Sequence, residues 1–327
     1  MERREKVGEE IEVVGARYYS KDFEWENLRH EVENSPSLRH HCQPHIVISS
    51  SSSSSGEDAE AWKSFHNRHS RGRFFKERRY LLKEFPELLD AHGWYTILEV
   101  GCGNGSSVLP ILRAKDTIVV YACDCSMVAL ERAKEAVDAA EISQKLRFHP
   151  FYCDFSIDGF PSWIFCNACR EKFHVEAQNN LSDVVANEEA NAMRIAGTRD
   201  VQCCIGGVDF VTLIFTLSSV PFRSMPFVIA NCYSVLKPGS LLLFRDYGLY
   251  DMTMLRFLPT QRVGNREYKR ADGTRSYFFS LDTVRDLFLN AGFIELELEY
   301  CCINLLNHHN GKNMRRVWVH GKFQRPI

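Results

Sequence analysis

From Trp94 onward the chain alternates short apolar runs with amphipathic segments, and that alternation points to a parallel sheet covered by helices. Thr96–Val100 reads as a first strand ended by glycines, Ile118–Cys123 as a second and Leu146–Cys153 as a third. Val208–Leu217 is almost wholly apolar, as a strand buried on both faces must be, and Ser240–Arg245 follows as a fifth. Ser126 caps a helix that carries Met127, Leu130, Ala133 and Val137 on one face. A second helix opens at Ser224 and Pro226 and stops at Lys237-Pro238-Gly239, where proline and glycine cannot continue it. Ser280 caps a third, with Leu281, Val284, Leu287 and Phe288 inward and Gly292 closing it. Ile294–Leu305 and Arg316–Phe323 then read as an antiparallel hairpin. The predicted fold is α/β and Rossmann-like: a mostly parallel seven-stranded sheet with helices on both faces and a C-terminal antiparallel hairpin.

Around this domain, assigned to residues 94–327, the composition shifts. Residues 1–57 read as a flexible extension ending in seven serines at 49–55, and residues 58–93 as a separate helical segment ahead of the main domain. No run approaches the roughly 20 apolar residues of a membrane helix, and the acidic start does not suit a targeting peptide. The expected compartment is therefore cytosol or nucleus. Cys102, Cys123, Cys125, Cys153 and Cys232 fall in or beside predicted core elements, where reduced thiols serve as small apolar groups. A net charge of −2 gives no global attraction for polyanions, so any nucleic-acid surface must be local.

The first strand runs into Gly101-Cys102-Gly103-Asn104-Gly105, where glycines let a ligand approach the backbone. The spacing is G-x-G-x-G rather than the G-x-G-x-x-G that seats a pyrophosphate on a helix, which disfavours an NAD-dependent oxidoreductase. Asp124 lies 19 residues past Gly105 at the end of the second strand, where an acid can accept hydrogen bonds from vicinal ribose hydroxyls. Asp154 ends the third, where it can accept a hydrogen bond from an adenine amino group while Phe155 packs on the ring; the plainer reading of each acid is a helix cap.

Three strings narrow the field: Leu243-Phe244-Arg245-Asp246-Tyr247-Gly248-Leu249-Tyr250-Asp251, then Met254-Leu255-Arg256-Phe257, then Asp272-Gly273-Thr274-Arg275-Ser276-Tyr277-Phe278-Phe279. With Arg73-Phe74-Phe75-Lys76-Glu77-Arg78, Tyr121–Ser126 and the Lys-Pro-Gly turn, they resemble the tRNA N3-methylcytidine methyltransferases, class I enzymes that use S-adenosylmethionine. The likeness runs from Trp62 to Pro326. It implies a cofactor pocket of Trp62, His66, Gly101, Gly103, Asp124, Asp154, Phe155 and Ile214, with His66 where the family has tyrosine and Phe155 where it has leucine. It also implies a tRNA substrate methylated at anticodon-loop position 32, delivered with or without an aminoacyl-tRNA synthetase or other adaptor protein.

The chemistry suits such residues. Cytosine N3 carries an in-plane lone pair, so it attacks without losing a proton and needs no general base, but the base must be unpaired and in line. The product is cationic, and a carboxylate nearby stabilises the charge that develops. Asp246, just past the fifth strand, is the candidate, with Arg245 and Tyr247 orienting the base or its phosphate and Asp251 behind them; a local Arg245–Asp246 ion pair is the plainer alternative. Residues 68–83 hold seven Lys/Arg against one Glu, and residues 254–275 hold six against two acids. That segregation marks Arg73, Lys76, Arg78, Arg256, Arg270 and Arg275 as RNA-backbone contacts.

Ser156–Gly207 is long for a connection between two strands of such a sheet. Cys166-Asn167-Ala168-Cys169 in it has the spacing of a zinc half-site, with His174, Cys203 and Cys204 available. Adjacent cysteines are poor partners on one metal, so a surface loop without metal is the expectation. A methyltransferase fold lapsed into an RNA-binding scaffold is the remaining alternative, motivated by His66 and this insertion.

Overall fold

A computed structural model describes residues 21–44, 56–69, 76–90, 92–140, 145–169, 171, 203–306, 311 and 313–327. The serine run at 49–55 lies outside them. In chain order the elements are α1 Trp25–Asn34, α2 Arg39–Cys42, α3 Glu57–Arg68, α4 Leu81–Glu84, α5 Glu87–Asp90, β1 Tyr95–Val100, α6 Val108–Ala114, β2 Ile118–Asp124, α7 Met127–Ala139, β3 Phe148–Tyr152, β4 Val208–Ile214, α8 Met225–Val235, β5 Leu236–Tyr247, β6 Arg262–Gly264, β7 Glu267–Lys269, β8 Arg275–Tyr277, α9 Leu281–Asn290, β9 Ile294–Leu306 and β10 Asn313–Gln324.

Seven strands form one sheet in the order β3-β2-β1-β4-β5-β10-β9. The first five run parallel and β10 enters antiparallel to β5. The chain reverses direction across the sheet between β1 and β4, so their carboxyl ends frame the crevice where open α/β sheets bind ligands. The strands are apolar because both faces are covered: Leu98, Val100, Val211, Leu213, Leu242 and Phe244 pack on one side, and Ile97, Val120, Ala122, Ile214 and Leu243 on the other. Ser126 and Ser280 do cap α7 and α9, accepting from the Ala129 and Thr283 N–H groups.

Several expectations are corrected. The N-terminal region is not uniformly loose: α1 buries Leu28 and Val32 against Met254, Phe278 and Val317, and Trp25 stacks on Tyr300 at 4.7 Å while donating to the Leu249 carbonyl. α8 does open at Ser224, its N-cap residue, which also closes a 3-10 turn, Phe222–Ser224, that leads into the helix. Lys237-Pro238-Gly239 lies inside β5 rather than before it, at a register shift opposite Val208–Phe210 that accommodates a proline without an N–H. β4 stops at Ile214 because Phe215 takes φ +56°, which turns the chain out of the sheet. Residues 262–277 fold into a small antiparallel sheet, β6-β7-β8, which the strong basic character of that stretch concealed.

Candidate active site

A cavity of about 500 Å³ opens at the carboxyl ends of β1, β2, β4 and β5, roofed by α3. Its floor is the glycine loop. Gly101 has φ +68°, and a Cβ there would lie 2.5 Å from Thr216 Cγ2, so no larger residue fits between β1 and the turn after β4. Asp124 is buried at the tip of β2. Its two oxygens accept from the Gly103 and Ser126 N–H groups, each at 2.9 Å, and acceptor capacity remains for further hydroxyls. Burial pushes its pKa up, while neighbouring His66 and those two N–H groups oppose the shift. Burial likewise pushes His66 down, toward neutral imidazole.

Trp62, Phe65 and His66, on successive turns of α3, face this floor, and His66 Cε1 would lie 3.8 Å from a Cβ at Gly103. The Trp62 indole N–H is buried with no hydrogen-bond partner among the described residues, an unmet donor on a cavity wall. Phe155 and Ile214 line the cavity as expected. Asp154 does not: its Oδ1 accepts from the Ser156 hydroxyl at 2.6 Å and the Ser156 N–H at 3.2 Å, so the acid pins the turn after β3 that presents Phe155.

The other half of the cavity is aromatic and cationic. Tyr247 stands opposite Trp318 in the β5–β10 register, and Phe215 packs against both rings at 5.2 and 5.9 Å. Arg78, Arg270, Arg275 and Arg316 reach the same space. Arg316 lies 5.9 Å from the Tyr247 ring centre and 5.3 Å from that of Trp318, held there by fully buried Asp251 at 2.9 Å. Asp251 also accepts from the Val317 and Thr253 N–H groups, so the acid expected behind the site does support it, through an arginine that sequence reading missed. Arg316, Trp318 and Phe215 carried no local signal; only the non-local pairing of β10 with β5 brings the first two in.

The triad expected for catalysis divides into three roles. Tyr247 alone of the three lines the cavity. Asp246 is fully buried behind that wall, accepting from the Ser218 N–H at 2.9 Å and the Tyr247 N–H at 2.8 Å. Burial pushes its pKa up to about 6 against the pull of those donors. Arg245 does not line the cavity. It has no exposed surface, pairs with equally buried Glu84 on α4, and packs 4.3 Å from the Trp318 ring centre and 4.9 Å from that of Tyr80. Nor is it the local partner of Asp246: adjacent residues of a strand face opposite sides.

The basic residues divide similarly. Arg78 donates to Ser107 and lies 5.5 Å from the Phe215 ring centre at the cavity rim; Arg270 donates to Thr274. Lys76 and Arg256 are exposed. Arg275 is neutralised by Asp58, on two of its nitrogens, and by Glu267, so it tethers α3 over the cavity rather than offering charge to RNA. Arg73 lies outside the described residues, as does His174. Cys166 and Cys169 are described and stand beside Cys203 and Cys204, away from this cleft.

Residues 66–297 match the family described as a methyltransferase domain. The human tRNA N(3)-cytidine methyltransferase METTL6 is 35% identical over 274 residues, covering 83% of this chain and 81% of that protein. The chain belongs to the tRNA N3-cytidine methyltransferases. The Drosophila melanogaster tRNA N(3)-methylcytidine methyltransferase Mettl2 is 31% identical, over 81% of this chain and 71% of its own. Among solved structures, the Burkholderia thailandensis 1,6-didemethyltoxoflavin-N1-methyltransferase, 11% identical, superposes with a TM-score of 0.51 over 87% of this chain and 100% of that one, a likeness of fold alone. The cofactor of this methyltransferase is S-adenosylmethionine, and the residues present fit it: Asp124 for ribose hydroxyls, Phe155 and Ile214 as an apolar slot, Trp62 with a free donor and the glycine loop as a close backbone shelf.

Proposed function

We propose that this chain methylates N3 of a cytosine in tRNA, in the anticodon loop at position 32. The observation that carries the reading is the division of one cavity into an acid-and-glycine half and a half walled by Tyr247, Phe215 and Trp318 with Arg78, Arg270 and Arg316 at its rim. The first suits a nucleoside-bearing cofactor; the second suits a single extruded base and its phosphate, because flat rings stack on any base and guanidinium groups pair with phosphate oxygens. S-adenosylmethionine supplies the electrophilic methyl group.

The chain's own part is positioning and charge. No group in the cavity needs to remove a proton, since the N3 lone pair is free once the base leaves its helix. Tyr247 and Trp318 hold the ring plane, and Asp251 keeps Arg316 extended toward the backbone. Asp246 is a positioning residue: through its two N–H partners it fixes Ser218 and Tyr247, and its charge sits in a dry environment one layer from the cation that forms. Among the described residues the cationic rim of the cavity is small once Arg275 is discounted, which supports delivery of the tRNA by an adaptor such as an aminoacyl-tRNA synthetase.

Incubation with total tRNA and methyl-labelled cofactor, followed by nucleoside analysis, tests the reading. N3-methylcytidine is the expected product, and mapping places it at position 32 of the anticodon loop. Label on any other nucleoside overturns the substrate, and N3-methylcytidine outside that loop overturns the position.

A further inference from the structure

We propose that Cys166, Cys169, Cys203 and Cys204 bind one structural zinc ion at the root of the long β3–β4 connection. Their four Sγ atoms lie within 4.8 Å of one another, with Cys166 and Cys169 each 3.3 Å from Cys203. Four sulfurs at about 2.3 Å around a tetrahedral zinc would stand about 3.8 Å apart, so the cluster needs only small adjustments to close on the metal. It is too open for disulfides, whose sulfurs lie about 2 Å apart. Soft thiolate donors in tetrahedral array select zinc among common divalent ions, and four of them leave no position for water, which makes the site structural rather than catalytic.

Backbone groups already support the sulfurs. The Gly206 N–H donates to Cys204 Sγ at 3.4 Å, and the Cys169 N–H donates to Cys166 Sγ. Such N–H donors stabilise the charge that a metal-bound thiolate retains. The two arms are also joined next to the cluster: Ile205 N–H donates to the Trp163 carbonyl and Gly207 N–H to that of Ile164, both at 2.8 Å. Ile164 and Phe165 are fully buried at this foot, so the cysteines rise from a fixed base. Adjacency of Cys203 and Cys204 is no obstacle, because the chain bends there: Cys203 is exposed and Cys204 buried, yet both sulfurs reach the cluster.

The cluster precedes β4 at the amino end of the sheet, opposite the cleft at Gly101, Asp124 and Phe215. The ion therefore closes the insertion without touching the reaction. Binding displaces the thiol protons, giving a zinc tetrathiolate and releasing up to four protons.

Full-length protein purified from zinc-supplemented cells tests this by elemental analysis. The expected content is about one zinc per chain, and cobalt replacement should give the intense visible bands of a tetrahedral sulfur site. Cys166→Ser with Cys169→Ser should lower zinc at least tenfold while cofactor binding by calorimetry persists, and Cys42→Ser should keep the metal. The wild-type zinc content and cobalt spectrum decide the matter even if the double variant does not fold. Substoichiometric zinc with no cobalt–thiolate spectrum, iron in its place, or a disulfide among these cysteines overturns the proposal.

Discussion

The Arg245–Glu84 pair gives the sharpest test of a residue whose sequence context suggested catalysis and whose surroundings assign it to the scaffold. Both side chains are without exposed surface, and Glu84 also accepts from His320 at 3.0 Å, which in turn bonds Glu297. Glu84→Gln leaves the Arg245 charge without a counterion inside the protein. Breaking a buried pair from one side costs about 3–5 kcal/mol, which for a chain of this size lowers Tm by roughly 4–7 °C. Arg245→Met removes the charge itself and should restore much of that loss in a Glu84→Gln background, because the methionine can pack where the guanidinium lay among Tyr80, Phe215 and Trp318. Thermal unfolding of the two single variants and the double measures the coupling directly. Methyl transfer per folded molecule should stay within tenfold of wild type in the double variant. A hundredfold loss of methyl transfer with unchanged Tm in Arg245→Met would refute the structural role and return this arginine to the chemistry.

Three further outcomes follow from the site. Asp246, pushed up to about 6 by burial, holds its proton more tightly in the folded state, so its contribution to stability is full below about pH 4 and lost as pH rises through about 6. The ionised form is the one that favours a cationic product, so single-turnover methyl transfer should rise through pH 6. Asp246→Asn should flatten that limb, Glu99→Gln, whose carboxyl burial pushes up to about 7, should leave it, and a flat wild-type profile from pH 5 to 8 would contradict the assignment. Gly101→Ala forces a side chain into left-handed backbone at a cost of about 1–2 kcal/mol before its clash with Thr216, and calorimetry should show at least tenfold weaker cofactor binding. Arg316→Ala should weaken tRNA binding roughly tenfold, about 1.4 kcal/mol, and leave cofactor affinity unchanged; the reverse pattern would place Arg316 on the wrong ligand.

What could be read from the sequence follows its local physics. Strands buried on both faces advertise themselves as apolar runs, and Ser126 and Ser280 act as caps through bonds only three residues long. Gly101 and Asp124 were visible because strand ends impose them wherever a ligand meets the sheet edge. Arg245 and Asp246 were misplaced by a different logic: their sequence neighbours mark a site, but whether a strand residue faces cleft or core depends on what covers each side, and α4 with Glu84 comes from far upstream. Arg275 looked like one cation among many until Asp58 and Glu267 were seen to neutralise it. The cysteine pairs, 34 residues apart at their nearest, gave spacing but not proximity, which the Trp163–Ile205 and Ile164–Gly207 bonds supply.

The antiparallel entry of β10 beside β5 also orders events in time. During synthesis the glycine shelf and Asp124 are complete long before Arg316 and Trp318 emerge, so a growing chain can build the cofactor half of its cleft while the wall that grips a base is still missing. The aromatic and cationic wall of the cleft is thereby complete only once β10 has taken its place between β5 and β9.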